Sequence, residues 1–171
     1  MSSPITPSAE KLAAIRLLVL DVDGVMTDGQ LHYDAQGREA KIFHVHDGHG
    51  IKQVMRAGIE VAVISGRHSK AVETRMAELG IEHVRLGQEN KSEAFTEITT
   101  QLGIPPQAVA CVGDDEPDLP IMLAAGLGIA VADAQPVVRE QADWQTLQGG
   151  GRGAVREVCD ALIAAQNENR S

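Results

Sequence analysis

A chain of 171 residues, 43% hydrophobic and 23% charged, is long enough to bury a proper core and is composed like an ordinary globular protein. A formal charge of −9 weighs against a nucleic acid or an anionic membrane as partner, and 2% aromatic residues weigh against base stacking. No apolar run is long enough to span a bilayer, and no signal-type apolar segment lies within Met1 to Glu10, so the expected compartment is the cytoplasm. Cys111 and Cys159 lack metal-type spacing and read as small buried hydrophobes in a reducing compartment.

Met1 to Ser8 reads as a frayed terminus and Glu10 to Ile15 as a short helix. Leu17 to Leu20 is a continuous apolar run, the pattern of a strand buried on both faces, and it ends in Asp21, Asp23 and Gly24. Two extended runs, Gln30 to Tyr33 and Arg38 to Val45, flank the turn Asp34-Ala35-Gln36-Gly37 and predict a β-hairpin over about 29–46. Asp47 is the expected N-cap of a helix from about Gly48 to Ala57. A second buried strand, Glu60 to Arg67, carries Ser65 at its end, and a helix over about Ser69 to Leu79 follows. Glu82 to Leu86 is a short strand near an edge, and Gln88 to Leu102 a helix opened by Lys91 and its neighbours.

Ala108 to Gly113 is another buried strand, ending in Asp114 and Asp115. Pro117 fits the first turn of a helix to about Ala125, Gly128 to Ala132 is a strand, and Pro136 opens a short helix. Gly149 to Gly153 reads as a flexible hinge into a final helix from Ala154 to about Ala165, with a tail over about 166–171. No repeat or low-complexity linker interrupts the chain, so one domain over 1–171 is expected. Strands alternating with helices of this length mean an α/β fold: a parallel sheet flanked by helices, with right-handed crossovers.

Ligands of such sheets bind beyond the carboxyl ends of the strands, where Asp21, Asp23, Ser65, Asp114 and Asp115 all fall, with Lys91 at the start of a helix that follows a strand. Asp21 and Asp23 leave the strand on one side, and like charges that close ionise together only around a cation. Several carboxylates with hydroxyl and water, and no soft ligand, suit Mg²⁺. A carboxylate can also act as nucleophile through an aspartyl-phosphate, while Ser65 and Lys91 hold phosphate oxygens. Arg67 presents a fork suited to carboxylate or phosphate at the edge of the site. His44 and His46, at alternate positions, are assigned to the hairpin surface or to substrate contact.

The ordered set Asp21-x-Asp23-Gly24, Ser65-Gly66-Arg67, Lys91 and Gly113-Asp114-Asp115-x-x-Asp118 resembles the haloacid dehalogenase superfamily of phosphatases, with its Rossmann-like fold. The resemblance implies Asp21 as nucleophile and Asp23 as general acid, then base. It implies a metal held by the Asp21 carboxylate, the Asp23 carbonyl and Asp114, with Asp115 and Asp118 behind them. Ser65 and Lys91 would bind phosphate. A separate cap domain, common in that superfamily, has no room here; the hairpin stands in its place and is the expected contact with a neighbouring subunit, which would cover the site. Asp21 to Gly29, Asp47 to Ile51, Ile64 to Arg67 and the tail Gly149 to Cys159 look like the capless 3-deoxy-D-manno-octulosonate 8-phosphate phosphatases. That family implies a Mg²⁺-dependent homotetramer supplying a sugar acid for lipopolysaccharide synthesis. Thr27, Arg67 and either Lys41 or Arg152 would then grip the sugar acid. The chain departs from the family at His46, where many members carry Arg, and at His49, and related capless proteins act on nine-carbon sugar-acid 9-phosphates. A non-catalytic scaffold would have no reason to keep Asp21, Asp23, Ser65, Lys91 and Asp114 together.

Overall fold

The computed structural model describes residues 6–169. After α1 (Ala9–Ala13) comes β1 (Leu17–Leu20), whose four residues are all buried. A small ribbon, β2 (His32–Tyr33) and β3 (Glu39–Ala40), leads into α2 (Val45–Arg56). Then follow β4 (Glu60–Ile64), α3 (Lys70–Leu79), β5 (His83–Arg85), α4 (Lys91–Leu102), β6 (Val109–Gly113) and α5 (Leu119–Ala124). The chain closes with β7 (Leu127–Ala130), α6 (Pro136–Gln141), β8 (Trp144–Gln145) and α7 (Ala154–Asn169).

Six strands form one sheet in the order β5-β4-β1-β6-β7-β8, and every pairing is parallel. The innermost strand is β1, with Leu20 level with Val63 of β4 and Val112 of β6. The two strand ends beside it are therefore those that carry Ser65 and Asp114. Helices cover the sheet, which is why its inner strands read as unbroken apolar runs. Among the helices, α2 lies along α7, with Ile51 and Val54 of one and Val158 and Leu162 of the other fully buried.

Several expectations are corrected. The ribbon is shorter than the hairpin predicted over 29–46: each strand has two residues. Helix α2 starts at Val45, and its N-cap is His44, whose ring accepts from the His46 N–H, rather than Asp47. Asp47 lies inside that helix and accepts at 2.9 Å from the N–H of Arg156 in the first turn of α7. It thus caps a helix more than a hundred positions away in sequence. The helix expected after Pro117 is a single 3-10 turn, Glu116–Asp118, followed by α5. Strand β8, with Trp144 buried, was too short to carry a period-2 signal. The final helix runs on to Asn169, through part of the expected tail; the last two residues, and most of the expected frayed start, lie outside the described residues. Among the described residues, no helix is long and apolar enough to cross a membrane.

Candidate active site

The loop after β1 is wound tightly. The N–H groups of Val25, Met26 and Thr27 all donate to the carbonyl of Val22. Gly24 sits at φ +87°, a left-handed conformation that L side chains rarely adopt, and a Cβ there would overlap the Asp114 carboxylate. Thr27 is buried, and its hydroxyl accepts from the N–H groups of Gly24 at 3.4 Å and Gly29 at 3.2 Å. Thr27 thus staples the loop. The expected hinge Gly149 to Gly153 is a brace on the same loop. Gly150 is buried against the carbonyl oxygens of Gly24 and Thr27, and Gly151 N–H donates to the carbonyl of Val25 at 3.0 Å. The Asp133 carboxylate holds Gly150 N–H from the other side at 2.9 Å.

Four groups meet behind this loop. Lys91 opens α4 with its side chain buried, and its ammonium lies 2.9 Å from Asp21 Oδ1 and 2.6 Å from Asp118 Oδ1. Burial alone would lower the lysine pKa, but the charges of Asp21 and Asp118 outweigh it and hold the ammonium firmly protonated. Asp118, more enclosed than Asp21, spends its other oxygen on the N–H groups of Asp114 at 2.9 Å and Asp115 at 3.3 Å. It therefore holds Lys91 and shapes the Asp114 loop. Asp115, expected beside it, is exposed and accepts from the N–H of Glu116.

Among the described residues, carboxylate oxygens of Asp21, Asp114 and Asp118 lie within 4.8 Å of one another. Asp114 Oδ1 is buried and meets no donor among them. Burial, and then the charge of Asp118, raises the pKa of Asp21 well above the usual carboxylate range, against the pull of Lys91. Burial, and then the charges of Asp21 and Asp118, raises Asp114 further. An all-oxygen set with mutually repelling carboxylates and one orphaned oxygen fits a hard divalent cation. Because both oxygens of Asp118 are engaged, Asp21 and Asp114 are the side chains free to hold it.

Asp23 faces the other way. Its Oδ1 lies 2.5 Å from the ammonium of Lys41, and its Oδ2 lies 3.8 Å from Nε of Arg67. Glu39 joins the same two cations, 2.8 Å from Lys41 and 3.2 Å from Arg67 Nη2, which also donates to the Tyr33 hydroxyl at 3.3 Å. The ribbon thus lays Tyr33, Glu39 and Lys41 across the mouth of its own site. Ser65 is buried at the end of β4, and its hydroxyl oxygen accepts from the N–H of Arg67 at 3.3 Å, which leaves the O–H free to donate. Arg152 is largely exposed, 3.7 Å from Asp28. His46 and His49 both lie on α2; His46 packs edge-on against His44, and His49 pairs with Gln53.

The ribbon's pairing of Lys41 with Asp23 was missed in the sequence as a contact. The only hint was two charged residues at alternate positions, Glu39 and Lys41, which a strand places on one side.

Comparison with known proteins follows the same lines. Residues 87–156 match the family of haloacid dehalogenase-like hydrolases. Over 166 residues the chain is 50% identical to the 3-deoxy-D-manno-octulosonate 8-phosphate phosphatase KdsC of Salmonella typhimurium, covering 96% of this chain and 88% of that one. It is similar to the 3-deoxy-D-manno-octulosonate 8-phosphate phosphatase of Moraxella catarrhalis, solved with magnesium, phosphate and KDO, with a TM-score of 0.91, 42% identity and coverage of 94% and 92%. It is also similar to the cobalt-bound deoxy-D-mannose-octulosonate 8-phosphate phosphatase of Haemophilus influenzae, with a TM-score of 0.89, 46% identity and coverage of 92% of each chain.

Proposed function

The chain belongs to the 3-deoxy-D-manno-octulosonate 8-phosphate phosphatases among the haloacid dehalogenase-like hydrolases, and from that premise we propose that it hydrolyses this 8-phosphate with Mg²⁺, releasing the sugar acid for lipopolysaccharide synthesis. The observation that carries the reading is the pairing at the end of the central strand. Asp21 is tied to Lys91 on one side and lies within 4.8 Å of a carboxylate oxygen of Asp114, whose Oδ1 is orphaned, on the other.

In this mechanism a carboxylate oxygen of Asp21 attacks phosphorus, and the bond from phosphorus to the sugar oxygen breaks. Asp23 gives its proton to that departing oxygen, and the products of the first half are the free sugar acid and the Asp21 phosphoanhydride. Asp23, now ionised, takes a proton from a water that attacks phosphorus. The anhydride bond breaks, and Asp21 is regenerated with release of inorganic phosphate. The Ser65 hydroxyl and the Lys91 ammonium hold the non-bridging oxygens, and Lys91 offsets the charge that builds on them. Asp21, Asp114 and the backbone carbonyl of Asp23 would hold Mg²⁺, which supplies charge neutralisation to the transferring phosphoryl group. Arg67 stands at the mouth to meet the substrate carboxylate.

Leu31, Tyr33 and Ile42 in and beside the ribbon, and Val45 at the start of α2, are large and exposed, which supports assembly with further copies through this face, a tetramer in this reading. The decisive experiment measures phosphate release from eight-carbon and nine-carbon sugar-acid phosphates with Mg²⁺ and with EDTA. Turnover is expected on the eight-carbon ester, dependent on metal and lost in Asp21→Asn. Faster turnover of a nine-carbon 9-phosphate would move the reading to that substrate, and a near-normal rate in Asp21→Asn would overturn the nucleophile. Sizing the active protein in solution checks the assembly: a fully active monomer would contradict it.

A further inference from the structure

Lys41 is unlike the chain's surface lysines. Its side chain is 2% exposed, although it belongs to a ribbon with two-residue strands on the outside of the molecule. Taking an ammonium out of water is costly unless carboxylates replace the water. Here two do: Asp23 Oδ1 at 2.5 Å and Glu39 Oε1 at 2.8 Å. Glu39 is itself tied to Arg67, whose Nε faces Asp23 Oδ2 at 3.8 Å. The charges alternate around a closed set: Asp23, Lys41, Glu39, Arg67. A lysine with two of its three N–H donors committed to carboxylates is poorly placed to grip a substrate carboxylate, the part that resemblance to the family allowed it. Its geometry serves Asp23.

We propose that Lys41 is a positioning residue for Asp23. It pins Oδ1, fixes the rotamer of the carboxylate, and leaves Oδ2 as the atom that delivers the proton to the departing sugar oxygen and later takes one from water. This rests on the reading of Asp23 as general acid and base. It gives the ribbon a duty inside its own subunit: seating the ribbon sets the proton-transfer group, so the site is competent only when the ribbon is docked. Glu39 is the clasp that aligns Lys41 and Arg67 on either side of Asp23.

The test compares wild type with Lys41→Met on the sugar-acid 8-phosphate, an alkyl ester, and on p-nitrophenyl phosphate, whose phenolate leaves without a proton. On the alkyl ester, kcat should fall about a hundredfold, the lower end of what a positioned acid-base group contributes, with KM essentially unchanged. On the aryl ester, Lys41→Met should release one nitrophenolate per active site in a burst and then turn over slowly, because phosphoenzyme forms but water is no longer activated. A rise in KM with kcat preserved would overturn the proposal in favour of a substrate grip. An equal loss on both esters, with no burst, would overturn it in favour of a purely structural ribbon. Lys41→Leu, which also removes the donor, is read the same way if the methionine variant does not fold, and Lys41→Gln, which keeps one, should recover part of the lost kcat on the alkyl ester. Failure of wild type on the sugar-acid ester would sink the substrate reading alone, and the aryl-ester burst would still judge Lys41.

Discussion

Gly150→Ala tests whether the glycine loop before α7 holds the catalytic loop in place. A Cβ at this position would fall on the carbonyl oxygen of Gly24 and lie 2.8 Å from the carbonyl oxygen of Thr27. Both obstacles are backbone, so neither can swing aside as a long side chain would. Retreat is blocked too, because Asp133 holds Gly150 N–H at 2.9 Å and Gly151 is bonded to Val25 at 3.0 Å. Overpacking of this kind costs about 1–3 kcal/mol. At about 2–4 °C per kcal/mol for a chain of this size, a cost near the top of that range lowers Tm by roughly 6–12 °C. The larger effect is on rate. Relief of the clash pushes Gly24 and its neighbours toward Asp114, and a displacement of about 1 Å at a reacting group can cost about a hundredfold. Calorimetry and steady-state phosphate release read the two effects. Gly103→Ala is the control: that glycine, at φ +63° with nothing within 4 Å of its would-be Cβ, ends α4 far from the loop. It should lose about 1–2 kcal/mol to the left-handed backbone and keep its kcat. A Gly150→Ala protein with wild-type Tm and wild-type kcat would refute the brace.

Saturating Mg²⁺ should raise Tm, by the equivalent of about 2.7 kcal/mol at a hundred times its Kd, and Asp114→Asn should abolish the rise; a wild-type Tm indifferent to Mg²⁺ would remove the cation from the carboxylate cluster. Asp118→Ala should cost about 3 kcal/mol in denaturant unfolding, the low end for breaking a buried pair, since Asp21 still faces Lys91. A loss below that of a surface pair would contradict a role for Asp118 in holding Lys91 and the Asp114 loop. Burial raises the pKa of Asp47 above its ordinary 3.8. The folded state therefore binds that proton more tightly than the unfolded chain does, and the stabilisation this brings is lost as pH rises through the folded-state value. The stability of wild type relative to Asp47→Asn should accordingly increase as pH falls from neutrality toward 4, measured by urea midpoints at each pH; a constant difference would contradict the buried-carboxyl picture.

The parts of the chain that were legible in its sequence are those decided by local chemistry. Leu17 to Leu20, Val61 to Ile64 and Val109 to Val112 are continuous apolar runs because both faces of the inner strands are covered, and the polar residues that end them fall at one edge of the sheet. Asp21, Asp114 and Lys91 could be placed together on that ground. What was not legible depends on partners distant in sequence. Asp47 looks like the cap of its own helix, because nothing near it reveals that the unsatisfied N–H groups it serves are those of α7. Gly149 to Gly153 read as a hinge, since missing side chains signify either freedom or close approach, and only the backbone of Gly24 and Thr27 tells which. Asp118 was placed behind the metal ligands; that both its oxygens are engaged, by Lys91 and by two backbone N–H groups, emerged only from the three-dimensional contacts.

Sheet order also governs when this site can come into existence. Leu17 of β1 lies level with Val109 of β6, so the central pairing joins segments separated by about half the chain. Closing so long a loop is entropically unfavourable before the contacts it allows are made, and parallel pairings of this reach form slowly. Asp21 emerges early in synthesis, yet Asp114 and Asp118 follow only after β6 has been made. During refolding, recovery of activity should therefore trail recovery of helical signal, and phosphate release becomes a clock for the insertion of β6 beside β1.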